Sequence, residues 1–208
     1  MNKYITEFIG TFFLVLTVGC SVTIGGLGLL AAIAIGASLM VMIYAGGHVS
    51  GGHYNPAVTL GVWLRGRCST QDVVPYWVAQ LLGASLAALV VNYLKGDQQA
   101  SALVVKPGPA LLAEFLYTFA LVYVVINSAT AKATAGNSFY GLAIGFTVTT
   151  GVFAVGKVSG GAFNPAVAIG ASLMGLLAWP NIWIYLLANF AGGFVAAQAF
   201  KFINPGDK

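Results

Sequence analysis

Ser50-Gly51-Gly52-His53-Tyr54-Asn55-Pro56-Ala57-Val58 returns as Ser159-Gly160-Gly161-Ala162-Phe163-Asn164-Pro165-Ala166-Val167, 109 residues further along a chain of 208. Each copy sets Asn-Pro-Ala behind a Gly-rich stretch in strongly apolar surroundings. Doubling of this kind indicates a membrane protein of two related halves, with a backbone-lined site where the halves meet.

The three motif residues read as a helix start. Asn is a preferred N-cap because its side-chain oxygen accepts from a free N–H of the first turn. Pro fits the first helical position, where its missing N–H is not needed. Ala leaves room for another backbone. Helical segments are therefore expected over about 55–64 and 164–174. At about 1.5 Å per residue each reaches roughly 15 Å, half of the hydrocarbon core. Such a segment dips to the midplane only if protein or a water-filled cavity covers its open end.

The rest of the chain supplies the cover. Charged residues make up 7%, hydrophobic residues 59%, and mean hydropathy is +0.88. A water-soluble domain carries about 25% charged residues, so most of this surface is expected to face lipid. Six stretches are long and apolar enough to span, at roughly 4–24, 29–47, 74–94, 109–130, 138–156 and 180–202. The first starts almost at the N-terminus without a basic leader or small-residue cleavage site, and reads as a permanent span. The expected fold is an all-α membrane protein of six transmembrane helices plus two re-entrant half-helices.

The repeat extends past the motif. Thr6-Glu7-Phe8-Ile9-Gly10-Thr11-Phe12 resembles Ala113-Glu114-Phe115-Leu116-Tyr117-Thr118-Phe119, and Tyr76, Gln80 and Gly83 match Tyr185, Asn189 and Gly192 at the 109-residue offset. The single channel domain 1–208 thus divides into half-repeats 1–98 and 109–208, joined by a connection over about 95–108. Three crossings per half is an odd number, so the repeat is inverted and the half-helices point at each other from opposite faces. With the N- and C-termini cytoplasmic, Lys3, Arg65, Arg67, Lys132, Lys201 and Lys208 lie inside and Lys95, Lys106 and Lys157 outside, which satisfies the positive-inside rule.

Several residues are site candidates. Asn55 and Asn164 would spend their oxygens as caps and offer side-chain amide donors at the midplane. The carbonyls of Ser50-Gly51-Gly52 and Ser159-Gly160-Gly161 cannot face lipid and should line a wet single-file path. Glu7 and Glu114, in apolar spans, should turn inward and brace the loops through their N–H groups. His53 is expected to order its loop by hydrogen bonding. His48, five residues earlier in the same irregular stretch, is a candidate for the inner mouth, and its counterpart Lys157 a solvated residue near the outer one. The histidines have no Cys or carboxylate nearby, so no metal site is expected. Cys20 and Cys68 fall at different membrane depths and are expected to stay unpaired. No nucleophile elbow, phosphate loop, redox motif or nucleic-acid motif is present, so the chain reads as no enzyme, without cofactor or nucleic-acid partner.

Six spans, two Asn-Pro-Ala half-helices and a Glu early in each half resemble the aquaporin (major intrinsic protein) family over nearly the whole chain. The resemblance implies a right-handed bundle, a homotetramer with one pore per subunit, and passive conduction of water and small neutral solutes. It also implies an outer filter at Ile35, Val152, Gly161 and Val167. Members of the family usually carry Arg at the last of these positions, and water-selective members an aromatic residue and a His at the first two; here the ring is apolar. Loss of the Arg removes a charged hydrogen bond worth about 1.5–3 kcal/mol to a passing solute, and an apolar ring can dewet. The missing side chain also widens the opening. The expectation is a pore for water and small uncharged solutes such as urea, ammonia, hydrogen peroxide or undissociated metalloid acids. Its alternatives are a broad neutral-solute pore with poor water conduction, a channel with an ion leak, and a mainly structural, weakly conducting membrane protein. The short loops imply a plasma membrane of bacterial inner type.

Overall fold

The computed structural model describes residues 1–98 and 100–207 and is built from helices; Lys208, assigned above to the inner face, lies outside the described residues. Long helices are α1 (Asn2–Thr23), α2 (Ala31–Ser50), α4 (Thr70–Leu94), α5 (Pro107–Ala129), α6 (Tyr140–Ser159) and α8 (Ile182–Ile203). Between them sit two short ones, α3 (Pro56–Leu64) and α7 (Pro165–Leu173). All six long helices are apolar and long enough to cross a membrane. Leu89, Phe146 and Leu187, each more than half exposed, belong to a large apolar outer surface. A belt of that kind is the face such helices present to hydrocarbon.

Three boundaries differ from the sequence expectation by three residues or more. Helices α2 and α6 each run three residues further, to Ser50 and Ser159, and stop where Gly51 (φ 90°) and Gly160 (φ 93°) take the left-handed conformation. A Gly just past the last turn ends a helix at low cost because it has no Cβ to clash. Helix α4 starts at Thr70 rather than near 74, with Pro75 inside it. Its first turn is anchored by Asp72, which accepts from Lys3 Nζ at 2.6 Å and from the Tyr4 hydroxyl at 2.8 Å.

The tightest helix pairs are α1 with α4 and α5 with α8, and α2 packs along α6. Small residues set these distances. A Cβ on Gly83 would stand 2.5 Å from the Phe8 carbonyl oxygen, and one on Gly192 2.7 Å from that of Phe115. Close backbone approach of this kind is how helices gain van der Waals contact in lipid. Each short helix also packs on a long helix from the other half of the chain, α3 on α8 and α7 on α4. Both termini lie on one face, here the terminal face. On the opposite, far face Leu103, ahead of α5, meets the segment after α7, and its N–H donates to Leu176 O at 3.0 Å.

Candidate functional site

Helices α3 and α7 begin against one another at the centre of the bundle. Asn55 is extended (φ −159°, ψ 121°), and its Oδ1 accepts from Ala57 N–H at 2.8 Å and Val58 N–H at 3.4 Å. Asn164 repeats this with Ala166 N–H at 2.9 Å and Val167 N–H at 3.4 Å. Pro56 and Pro165 occupy the first helical position, where no N–H is required. The amide nitrogens then cross over. Asn55 Nδ2 donates to Phe163 O and Asn164 Nδ2 to Tyr54 O, both at 2.9 Å. Sequence reasoning expected Asn55 and Asn164 to offer two amide donors at the midplane and did not foresee these cross-links. One N–H of each joins the two turns, leaving the second on each amide.

The crossing requires an unusual backbone. Tyr54 and Phe163 sit at φ 49° and 48°, in the left-handed region that bulky residues avoid. Each such residue costs on the order of 1–3 kcal/mol and persists only where its surroundings over-determine it. Glu7 and Glu114 do this. Glu7 Oε1 accepts from Ser50 Oγ at 2.7 Å and His53 N–H at 2.9 Å, and Oε2 from Tyr54 N–H at 2.6 Å. Glu114 takes the corresponding Ser159 Oγ, Ala162 N–H and Phe163 N–H at 2.7, 3.0 and 2.7 Å. Each carboxylate thus holds the loop that turns a carbonyl toward the opposite Asn.

The halves differ behind this frame. Gln80 Nε2 adds a fourth bond to Glu7 at 2.8 Å and another to Thr59 Oγ1 at 3.0 Å. Thr59 Oγ1 also lies 3.1 Å from His53 Nδ1. In the second half Ala168 and Ala162 replace Thr59 and His53, and the shorter Asn189 accepts from Thr118 at 2.9 Å instead. Sequence reasoning paired Gln80 with Asn189 without finding this network. It also missed Tyr76 and Tyr185, whose hydroxyls donate to the Ser50 and Ser159 carbonyls at 2.7 and 2.6 Å. The first carbonyl of each Gly-rich row therefore already accepts one hydrogen bond from within the bundle. The shared 109-residue offset of the two tyrosines was the available signal.

A cavity of about 640 Å³ enters from the far face and descends to Asn55 and Asn164. Ile35, Val152, Gly161 and Val167, the positions that the resemblance implied for an outer ring, are among the residues that line it. Lys157 lies at its rim. A second cavity of about 520 Å³ opens on the terminal face. His48 lines neither cavity and is exposed. The expectation of an irregular stretch there is corrected: helix α2 continues through His48 to Ser50, and helical geometry turns that side chain outward. Cys20 and Cys68 are unpaired.

The arrangement sets a clear electrostatic preference. Each helix start carries roughly half a positive charge. At about 4 Å and an effective dielectric of about 20, each opposes a monovalent cation by about 2 kcal/mol, before any cost of stripping the ion's water. A neutral solute that accepts a hydrogen bond from the amides avoids that cost.

Comparison with known proteins gives a consistent picture. The family described as major intrinsic protein matches residues 1–200. Aquaporin NIP1-4 of Oryza sativa subsp. japonica is 37% identical, over the whole of this chain and 79% of its own length. Glycerol uptake facilitator protein-like 6 of Lactiplantibacillus plantarum is 34% identical over the whole of both chains. The X-ray structure of the aquaglyceroporin from Plasmodium falciparum superposes with a TM-score of 0.83, covering 98% of this chain and 97% of that one, at 23% identity.

Proposed function

This chain belongs to the major intrinsic protein family, and on that premise we propose that it is a passive transmembrane channel for water and small uncharged solutes, not an enzyme. The observation that carries the proposal is the reciprocal bonding of the two half-helix starts at the floor of a deep cavity, with one amide N–H left on each Asn. Exclusion of protons and cations by positive half-helix ends is the established device of aquaporin-type pores. The ring of Ile35, Val152, Gly161 and Val167 acts as an apolar outer filter without a cationic donor. Its apolar walls favour a second reading on the same geometry, a broad neutral-solute pore that conducts water poorly, because such walls hold water weakly.

The terminal face is cytoplasmic in this reading. Lys3, Arg65, Arg67, Lys132 and Lys201 lie on it, against Lys95, Lys106 and Lys157 on the far face. A homotetramer in a bacterial inner membrane completes the proposal. Proteoliposomes containing the protein should shrink in an impermeant osmolyte and reswell in urea faster than empty vesicles. Rates equal to those of empty vesicles for water, urea, ammonia and hydrogen peroxide alike would leave only a structural role.

A further inference from the structure

The two cavities enter the bundle from opposite faces and, among the described residues, have only His53 and Val125 in common. The far-face chamber encloses the whole outer ring together with Asn55 and Asn164. Ile35, Val152, Gly161 and Val167 therefore border one continuous space and do not divide two. The boundary between the two cavities falls deeper, between the Asn-Pro-Ala turns and the terminal face, and His53 and Val125 line both sides of it.

The residues at this neck are held in place. The His53 ring is buried, with Nδ1 3.1 Å from Thr59 Oγ1 and its centroid 5.1 Å from the Tyr76 ring. Thr59 is fixed in turn by Gln80 at 3.0 Å and by its own bond to Asn55 O at 3.1 Å. The ring cannot swing aside without breaking this set. Its Nε2 makes no hydrogen bond among the described residues and is the polar atom left for the passage. Val125, four residues before the end of α5, supplies an isopropyl group. The repeat-related place provides an internal control. There Val18 and Ala162 stand for Val125 and His53, and both line the open far-face chamber. Exchange of an imidazole for a methyl group removes the neck at that end.

We propose that the His53–Val125 neck, and not the outer ring, sets the size limit for solutes in this pore, offering one imidazole nitrogen and one apolar wall to what passes. The proposal rests on the channel reading above. His53 also braces its loop, so the test uses Val125, whose side chain makes no hydrogen bond. Full-length protein in proteoliposomes is assayed by stopped flow for water, urea and glycerol, with thermal midpoints in detergent confirming that each variant is folded. Val125→Ala should raise glycerol flux several-fold and exceed the gain from Val152→Ala in the outer ring. Val125→Phe should cut urea flux about tenfold, or roughly 1.4 kcal/mol of added barrier. An equal or larger gain from Val152→Ala, or no change with folded Val125→Ala, overturns the neck while leaving the channel intact. A wild-type protein that passes none of the three solutes removes the channel reading and the neck together.

Discussion

Asn55 Nδ2 and Phe163 O meet at 2.9 Å across the centre of the bundle, joining residues 108 positions apart. The bond makes each motif part of the other's support. One Asn caps its own half-helix through oxygen and holds the opposite loop through nitrogen. Asn55→Asp keeps the capping oxygen but loses the donor and places a negative charge between two positive helix ends. It should stabilise a cation where the wild type opposes one, and planar-bilayer recordings should show cation current that wild type lacks. Wild-type-like silence from a folded Asn55→Asp protein would show that ion exclusion lies elsewhere.

Glu7 and Glu114 make similar contacts but do not carry equal loads. Glu7 accepts four hydrogen bonds, including one from Gln80, whereas Glu114 accepts three. Hydrogen bonds to charged groups contribute about 1.5–3 kcal/mol each, and an amide in place of the carboxylate sets donor against donor. Glu7→Gln should therefore lower the thermal midpoint in detergent more than Glu114→Gln. The reverse order would contradict the role given to Gln80.

Val167 lines the far-face chamber at the foot of α7. Val167→Arg should insert a long cationic side chain into a ring that has none and narrow it. Urea flux should fall more than water flux in stopped-flow assays. Unchanged or improved urea flux would show that position 167 does not border the path.

Asp207 ties three segments together on the terminal face. Its Oδ2 accepts from Lys132 N–H at 2.8 Å and its Oδ1 from Arg65 Nη2 at 2.6 Å, while Arg65 lies over the Phe200 ring at 4.5 Å. The Lys132 N–H bond first, and then the Arg65 charge, hold the Asp207 carboxyl below its ordinary value of 3.8. A depressed folded-state value means that the contribution to stability is complete above the unfolded value and is lost as pH falls through the folded one. The melting difference between wild type and Asp207→Asn should be constant near neutrality and shrink below about pH 4. A difference that grows on acidification would contradict this sign.

Much of the frame was legible in the chain because it follows from local rules. Asn55-Pro56 and Asn164-Pro165 announce helix starts through capping chemistry, and an isolated Glu7 or Glu114 in an apolar span must find loop donors. What depended on three-dimensional meeting was hidden. The carbonyls of Tyr54 and Phe163 become acceptors only because their φ angles are positive, and side-chain type does not report that. Arg65 and Asp207, 142 residues apart, carry no local sign of pairing. His48 was misplaced because the second span was ended at about residue 47, whereas Gly51, with φ 90°, terminates α2 after Ser50. Val125 looks like any other apolar residue of a span until the cavities are traced.

The central claim is that two opposed helix starts pass uncharged molecules and refuse charged ones. Its most direct test measures both in one vesicle preparation, with urea-driven reswelling by light scattering and proton entry by an internal pH dye under a potassium diffusion potential. The account predicts reswelling well above empty vesicles with proton entry no faster than theirs. Proton entry that rises together with solute flux would contradict it.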